Sequence, residues 1–171
     1  MEVNMQKEKY YIAYGSNLNL PQMKQRCPTA KVVGTAEIED YELLFRGSKT
    51  GAYATIEPCV GSRVPVMIWS VKPKDEMALD RYEGYPRFYD KEAMDLEVDG
   101  KIVSAFVYVM TEGLRLGIPS DSYMKTIEEG DETAGFDTEV LETALLRTKE
   151  KMESEQQNNF EQETMFGLGW W

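Results

Sequence analysis

The stretch YDKEAMDLEVDGKIVSAFVYVM, residues 89–110, decides the fold. Two strand-like runs, Tyr89–Val98 and Lys101–Met110, flank Asp99-Gly100, and Asp-Gly between such runs is the strongest short hairpin signal. The second arm turns fully apolar in AFVYVM, as a buried strand does. Working outward, the same alternating or apolar runs predict strands at Lys9–Tyr14, Ala30–Ile38, Tyr41–Arg46, Ala52–Glu57 and Arg63–Val71. Helical patterns cover Leu20–Arg26, Pro73–Tyr82, Ser120–Glu129 and Asp137 to about Lys151. Pro73 suits a first helical turn, Gly84 and Pro86 stop that helix, and Ser120 and Asp137 suit N-caps. Many short strands with a few helices between them imply an α+β fold, a curved sheet or partly closed barrel flanked by helices.

No repeat or linker divides the first 147 residues, which are expected to form a single domain, with 148–171 as a C-terminal helical or flexible tail. The last residues, MFGLGWW, put Met165, Phe166, Leu168, Trp170 and Trp171 together on a polar, acidic segment. Exposed together they would form a large apolar patch. The tail is therefore expected to dock, on its own barrel or on a second copy of the chain as a homo-oligomer.

The 171 residues are 42 % hydrophobic and 29 % charged, the balance of a soluble globular protein. A net charge of −11 argues against nucleic acid as a partner and against an anionic membrane surface. No apolar run reaches membrane-spanning length and the first residues lack a signal-peptide core, so a cytoplasmic protein is expected. There is no histidine, which removes Ser-His-Asp and Cys-His machinery and imidazole metal sites. Cys27 and Cys59 are too few for a disulfide framework or a cysteine zinc site.

Carboxylates, tyrosines and backbone amides remain. In MALDRYEGYPRFY, Ala78, Leu79 and Tyr82 form a helical apolar stripe. Glu83 follows Leu79 by one turn, about 40° round the helix, at the stripe's margin. Beside Tyr82, Tyr85, Phe88 and Tyr89, burial would raise its pKa toward that of a general base. The alternative is a solvated glutamate closing a helix, although a negative charge in the last turn opposes the helix dipole. YYIAYGSNLN raises a similar choice, because Gly15-Ser16-Asn17 fits an ordinary turn and also a loop presenting bare N–H groups to an anion. Tyr123, in the first turn after Pro119 and Ser120, fits packing with a wet hydroxyl as well as ligand contact.

In order, YGSN, GSKTGAYATIEP, LDRYEGYP and PSDSYMKTIEEG…AGFD resemble the γ-glutamylcyclotransferase-like (AIG2-like) family, over about Tyr10 to Leu146. The resemblance implies a small mixed β-barrel with helices packed around it. It implies that Tyr14, Gly15, Ser16, Asn17 and Leu18 hold a γ-glutamyl moiety, largely through backbone groups. Glu83 would be the catalytic acid/base, and Tyr123 would line the pocket. It also implies release of 5-oxoproline and a free amine from a γ-glutamyl amide, with no metal or organic cofactor. A non-catalytic binding module on the same scaffold is the alternative, and a hydrolase using the same glutamate a third reading. The leaving amine stays open between an amino acid, an isopeptide lysine, a dipeptide and an antibiotic amine. Pro65 stands where the family pattern has glycine and, lacking an N–H, is expected to disturb pairing there. The segment from about Thr148 has no counterpart in the family pattern.

Overall fold

The computed structural model describes residues 8–167. Along the chain come β1 (Lys9–Ala13), a 3-10 turn (Ser16–Leu18), α1 (Leu20–Arg26), β2 (Lys31–Arg46) and β3 (Tyr53–Val71). They are followed by α2 (Pro73–Glu83), β4 (Tyr89–Val98), β5 (Lys101–Met110), α3 (Asp121–Ala134) and α4 (Glu139–Gly167). The strands form one five-stranded sheet in the order β2-β3-β1-β5-β4. β1 lies at its centre, antiparallel to β3 and parallel to β5. Ile12, Phe45, Ile56, Ile68 and Val107 are fully buried in the core. The α+β class stands, and Asp99-Gly100 makes the β4–β5 hairpin, with both residues at positive φ.

The sheet is curled but not closed into a barrel. Its outer strands, β2 and β4, approach so closely that a Cβ on Gly34 would lie 2.9 Å from Val98 Cγ1. Yet no ladder joins them, and a groove of about 930 Å³ opens between their far ends. Glu37, Glu39 and Asp40 line one side and Asp95 and Glu97 the other. Like charges facing one another across two edges oppose the pairing that closure requires.

β2 and β3 are each continuous where the sequence predicts two strands. Asp40 at φ 61° and Gly61 at φ 90° mark the irregularity, and the Asp40 carboxylate accepts the Gly61 N–H at 2.9 Å. The ladder resumes beyond it and runs through Pro65, opposite Glu37 and past the end of β1, so the expected disturbance is absent.

α4 extends to Gly167, beyond the expected end near Lys151. Its first half is bound to β2: Arg147 and Lys151 pair with the buried Glu42, and Arg147 donates to the Leu43 carbonyl. The fully buried Thr148 hydroxyl accepts the Phe45 N–H at 3.2 Å and donates to the Ala144 carbonyl. Thr148→Val keeps the volume but leaves the Phe45 N–H unpaired, so chemical unfolding should show a loss of about 1–3 kcal/mol. An unchanged midpoint would mean that bond contributes nothing. Met165 lies on the exposed far end of α4, while Leu168, Trp170 and Trp171 lie outside the described residues. No described helix is long and apolar enough to cross a membrane.

Candidate active site

β1 runs through the sheet's centre and ends at Ala13, and Gly15 then leads the chain into the 3-10 turn. That turn, the C-terminal end of α2 and the start of α3 meet over the sheet. They enclose a cavity lined by Tyr11, Tyr14, Gly15, Ser16 and Asn17 on one side. Ile12, Ala54, Tyr82, Glu83, Tyr89, Tyr108 and Tyr123 complete the wall. Its volume is about 30 Å³, roughly one water's share of the liquid.

Several local devices hold these walls. Asn19 caps α1 by accepting the Gln22 N–H, and its amide donates to the Thr126 carbonyl and to Glu129 of α3. Gly84, left-handed at φ 67°, ends α2 directly after Glu83. Ser120 caps α3 by accepting the Tyr123 N–H. Within the 3-10 turn, Leu18 N–H reaches the Gly15 carbonyl and Asn19 N–H the Ser16 carbonyl, each at 3.0 Å. As in any helical first turn, the leading N–H groups have no partner inside the turn itself.

The tyrosines divide by where their protons go. Tyr14 donates to the Tyr108 carbonyl, Tyr89 to the Ala54 carbonyl and Tyr108 to Asp80, each at 2.6 Å. Asp80 in turn pairs with Lys91 at 2.8 Å. Tyr123 instead accepts the Ala54 N–H at 3.0 Å, and Tyr11 accepts from the Asn17 amide at 2.8 Å. The protons of Tyr11 and Tyr123 are therefore available to the cavity. Burial raises the pKa of both, keeping them protonated.

Glu83 is the one acid on this wall. Burial pushes its carboxyl up to about 7, against a smaller lowering by the Arg26 charge. Near neutral pH it exists in both forms, a condition that suits proton transfer. Among the described residues, no group of three His, Cys, Asp or Glu side chains is arranged to hold a metal ion.

Of the residues singled out in the sequence, Tyr14, Gly15, Ser16, Asn17, Glu83 and Tyr123 converge on this cavity. Leu18 does not reach it: its side chain is fully buried, packed against Gly130 of α3. The sequence reading did not single out Tyr11, Tyr108 and Ala54 on the wall, or Arg26 beside it. Tyr11 and Tyr108 carried one available signal: both fall in predicted strands near the apolar centre.

The sequence model of the family described as "Gamma-glutamyl cyclotransferase, AIG2-like" matches residues 11–131. The chain is 30 % identical to human gamma-glutamylcyclotransferase over 141 residues, covering 77 % of this chain and 74 % of that protein. Among solved structures, one titled gamma-glutamyl cyclotransferase superposes with a TM-score of 0.73 at 27 % identity, over 81 % of this chain and 86 % of that one. An uncharacterised human protein gives a TM-score of 0.72 at 29 % identity, over 80 % and 86 %. With the cavity built from the same stretches that carry the likeness, the chain belongs to the AIG2-like γ-glutamylcyclotransferase family.

Proposed function

We propose that the protein is a cyclotransferase that releases 5-oxoproline and a free amine from a γ-glutamyl amide. The observation that carries this reading is Glu83: a carboxyl lifted to about 7 by burial, in a cavity shared with the Gly15–Asn17 turn. A γ-glutamyl amide brings its own nucleophile, since attack of the α-amine on the γ-carbonyl closes a five-membered lactam. No enzymic serine or cysteine is then required, because proximity is built into the substrate. The α-amine arrives protonated, so a base is required. Glu83 removes one proton from the ammonium, the N–C bond forms, and the carbonyl electrons move onto oxygen. When they return, the original C–N bond breaks and Glu83 delivers its proton to the departing nitrogen. The freed carboxylate then takes the second proton from the ring nitrogen and passes it to the released amine, which leaves as an ammonium. Tyr11 and Tyr123 have hydroxyl protons to offer the transient oxyanion, as do the leading N–H groups of the 3-10 turn.

A γ-glutamyl group exceeds the roughly 30 Å³ of the cavity, so a wall must yield on binding. Tyr82 is the wall able to do so, being 44 % exposed and fastened at its hydroxyl by Ser16 Oγ, 2.9 Å away.

The test is incubation with a panel of γ-glutamyl amides, reading 5-oxoproline by mass spectrometry. Release of 5-oxoproline is expected for at least one member, with a rate that rises through about pH 7 as Glu83 loses its proton. Release of free glutamate would replace this reading with a hydrolase. No product from any member would leave a binding module.

Gly15 gives a second check. A Cβ there would lie 3.3 Å from Ala54 Cβ and 3.4 Å from the Tyr123 hydroxyl, so even a methyl is tight against these neighbours. Gly15→Val places branched carbons on the cavity wall and should raise KM more than it lowers the melting temperature. A variant that melts early with KM unchanged would return Gly15 to the role of a plain turn residue.

A further inference from the structure

Arg26, the last residue of α1, stands beside the cavity without a carboxylate in ion-pair contact among the described residues. Its guanidinium carbon lies 3.5 Å from the centroid of the Tyr82 ring. It donates to Asn17 Oδ1 and, at 3.3 Å, to Gln22 Oε1, both neutral amides. Arg46, Lys91 and Arg147 each pair with a carboxylate, whereas Arg26 makes no ion pair among the described residues. It is partly buried, and its field reaches both Glu83 and Tyr11. A planar guanidinium held on two weak acceptors and an aromatic face is preorganised for a carboxylate, which it can grip with two parallel hydrogen bonds.

The substrate class proposed above supplies that carboxylate. The α-carbon of a γ-glutamyl amide carries an ammonium and a carboxylate side by side. With the ammonium at Glu83, the carboxylate lies one carbon away and needs a cation. We propose that Arg26 receives the substrate α-carboxylate, leaving Tyr82 and Asn17 to do so, and thereby restricts turnover to amides that bear this group. The proposal rests on the cyclotransferase reading. It also accounts for how the cavity enlarges, because an Arg26 drawn to the carboxylate releases the face of the Tyr82 ring.

The test compares two amides of one leaving amine, a γ-glutamyl amide and the γ-aminobutyryl amide that lacks only the α-carboxylate. They cyclise to 5-oxoproline and to 2-pyrrolidinone. The wild-type protein should favour the first. Arg26→Met should lower kcat/KM for the γ-glutamyl amide by ~10²-fold, chiefly through KM, the scale expected when one partner of a bonded charge pair is truncated. Turnover of the γ-aminobutyryl amide should stay within a few-fold, and Arg26→Lys should restore part of the preference. An equal loss on both amides would show Arg26 merely supporting Asn17 and would overturn the proposal, as would an unchanged ratio. Calorimetric binding of 5-oxoproline against 2-pyrrolidinone repeats the comparison without turnover. Arg26-dependent preference for 5-oxoproline in a protein that turns nothing over would sustain the assignment and remove the cyclotransferase reading. No preference in the wild-type protein would remove the assignment.

Discussion

Glu83→Gln should abolish turnover and at the same time make the protein more stable above neutral pH. The amide is nearly isosteric with the carboxyl and keeps the end of α2 intact, but it cannot accept the ammonium proton. General acid–base catalysis is typically worth ~10²–10⁴-fold, and the loss in kcat should be at least that large. The stability gain follows from the direction of the pKa shift. Burial raises the folded-state value to about 7, from an ordinary 4.5. A carboxyl with a raised folded pKa favours folding fully below the unfolded value. That contribution is lost as pH rises from the unfolded pKa through the folded one, because the fold must then hold a desolvated charge. Glutamine never ionises and escapes this penalty. Melting temperatures of wild type and variant should therefore nearly coincide below about pH 4.5 and separate up to about pH 7, with the variant more stable by roughly 1–3 kcal/mol thereafter. Near-normal 5-oxoproline production by the variant would remove Glu83 from the chemistry. A pH-independent difference in melting would mean its carboxyl is not held away from water.

This trade also explains why Glu83 was legible in the sequence. The signal was local, an acid at the margin of an apolar helical stripe with a left-handed Gly84 closing the helix behind it. The Asp99-Gly100 hairpin was legible for the same kind of reason. The continuity of β2 and β3 was not, because Asp40 and Gly61 read as punctuation. Only across the sheet do they become partners, carboxylate to N–H, that let the ladder resume. α4 was cut short because its second half is mostly exposed and packs on little, so it carries no apolar stripe to read. The open seam was not legible either: Glu37 and Glu39 of β2 and Asp95 and Glu97 of β4 line the groove between the two edges, a relation between residues nearly sixty positions apart. The unforeseen parts of the site share that non-local character. Tyr11, Tyr108 and Arg26 each look like ordinary strand or helix residues, and only β1, β5 and α1 brought together make Tyr11 and Tyr108 a wall with Arg26 beside it.

The same convergence makes Gly130 a sensitive position outside the cavity. It lies on α3, two turns beyond Tyr123, where the helix crosses the 3-10 turn carrying Ser16 and Asn17. A Cβ there would meet Leu18 C and Leu18 Cβ at 2.6 Å and Asn19 N at 2.8 Å. Two of these atoms are backbone, so no side-chain rotation relieves the contact. Two effects oppose each other in Gly130→Ala. Helix propensity favours alanine by about 1 kcal/mol. Overpacking against rigid neighbours costs typically 1–3 kcal/mol. The clash should win, because relief requires α3 to move away from the turn by about 1 Å, straining the Asn19 bonds to Thr126 and Glu129. That movement separates Tyr123 from Ser16 and Asn17, and displacements of this size can cost ~10²-fold in rate when they disturb the reacting geometry. Gly130→Ala should therefore melt several degrees lower and lose ~10–10²-fold in kcat/KM while Glu83 itself is untouched. A variant that melts higher than wild type with full activity would mean helix propensity prevails. The close seat of α3 on the turn would then have no part in shaping the cavity.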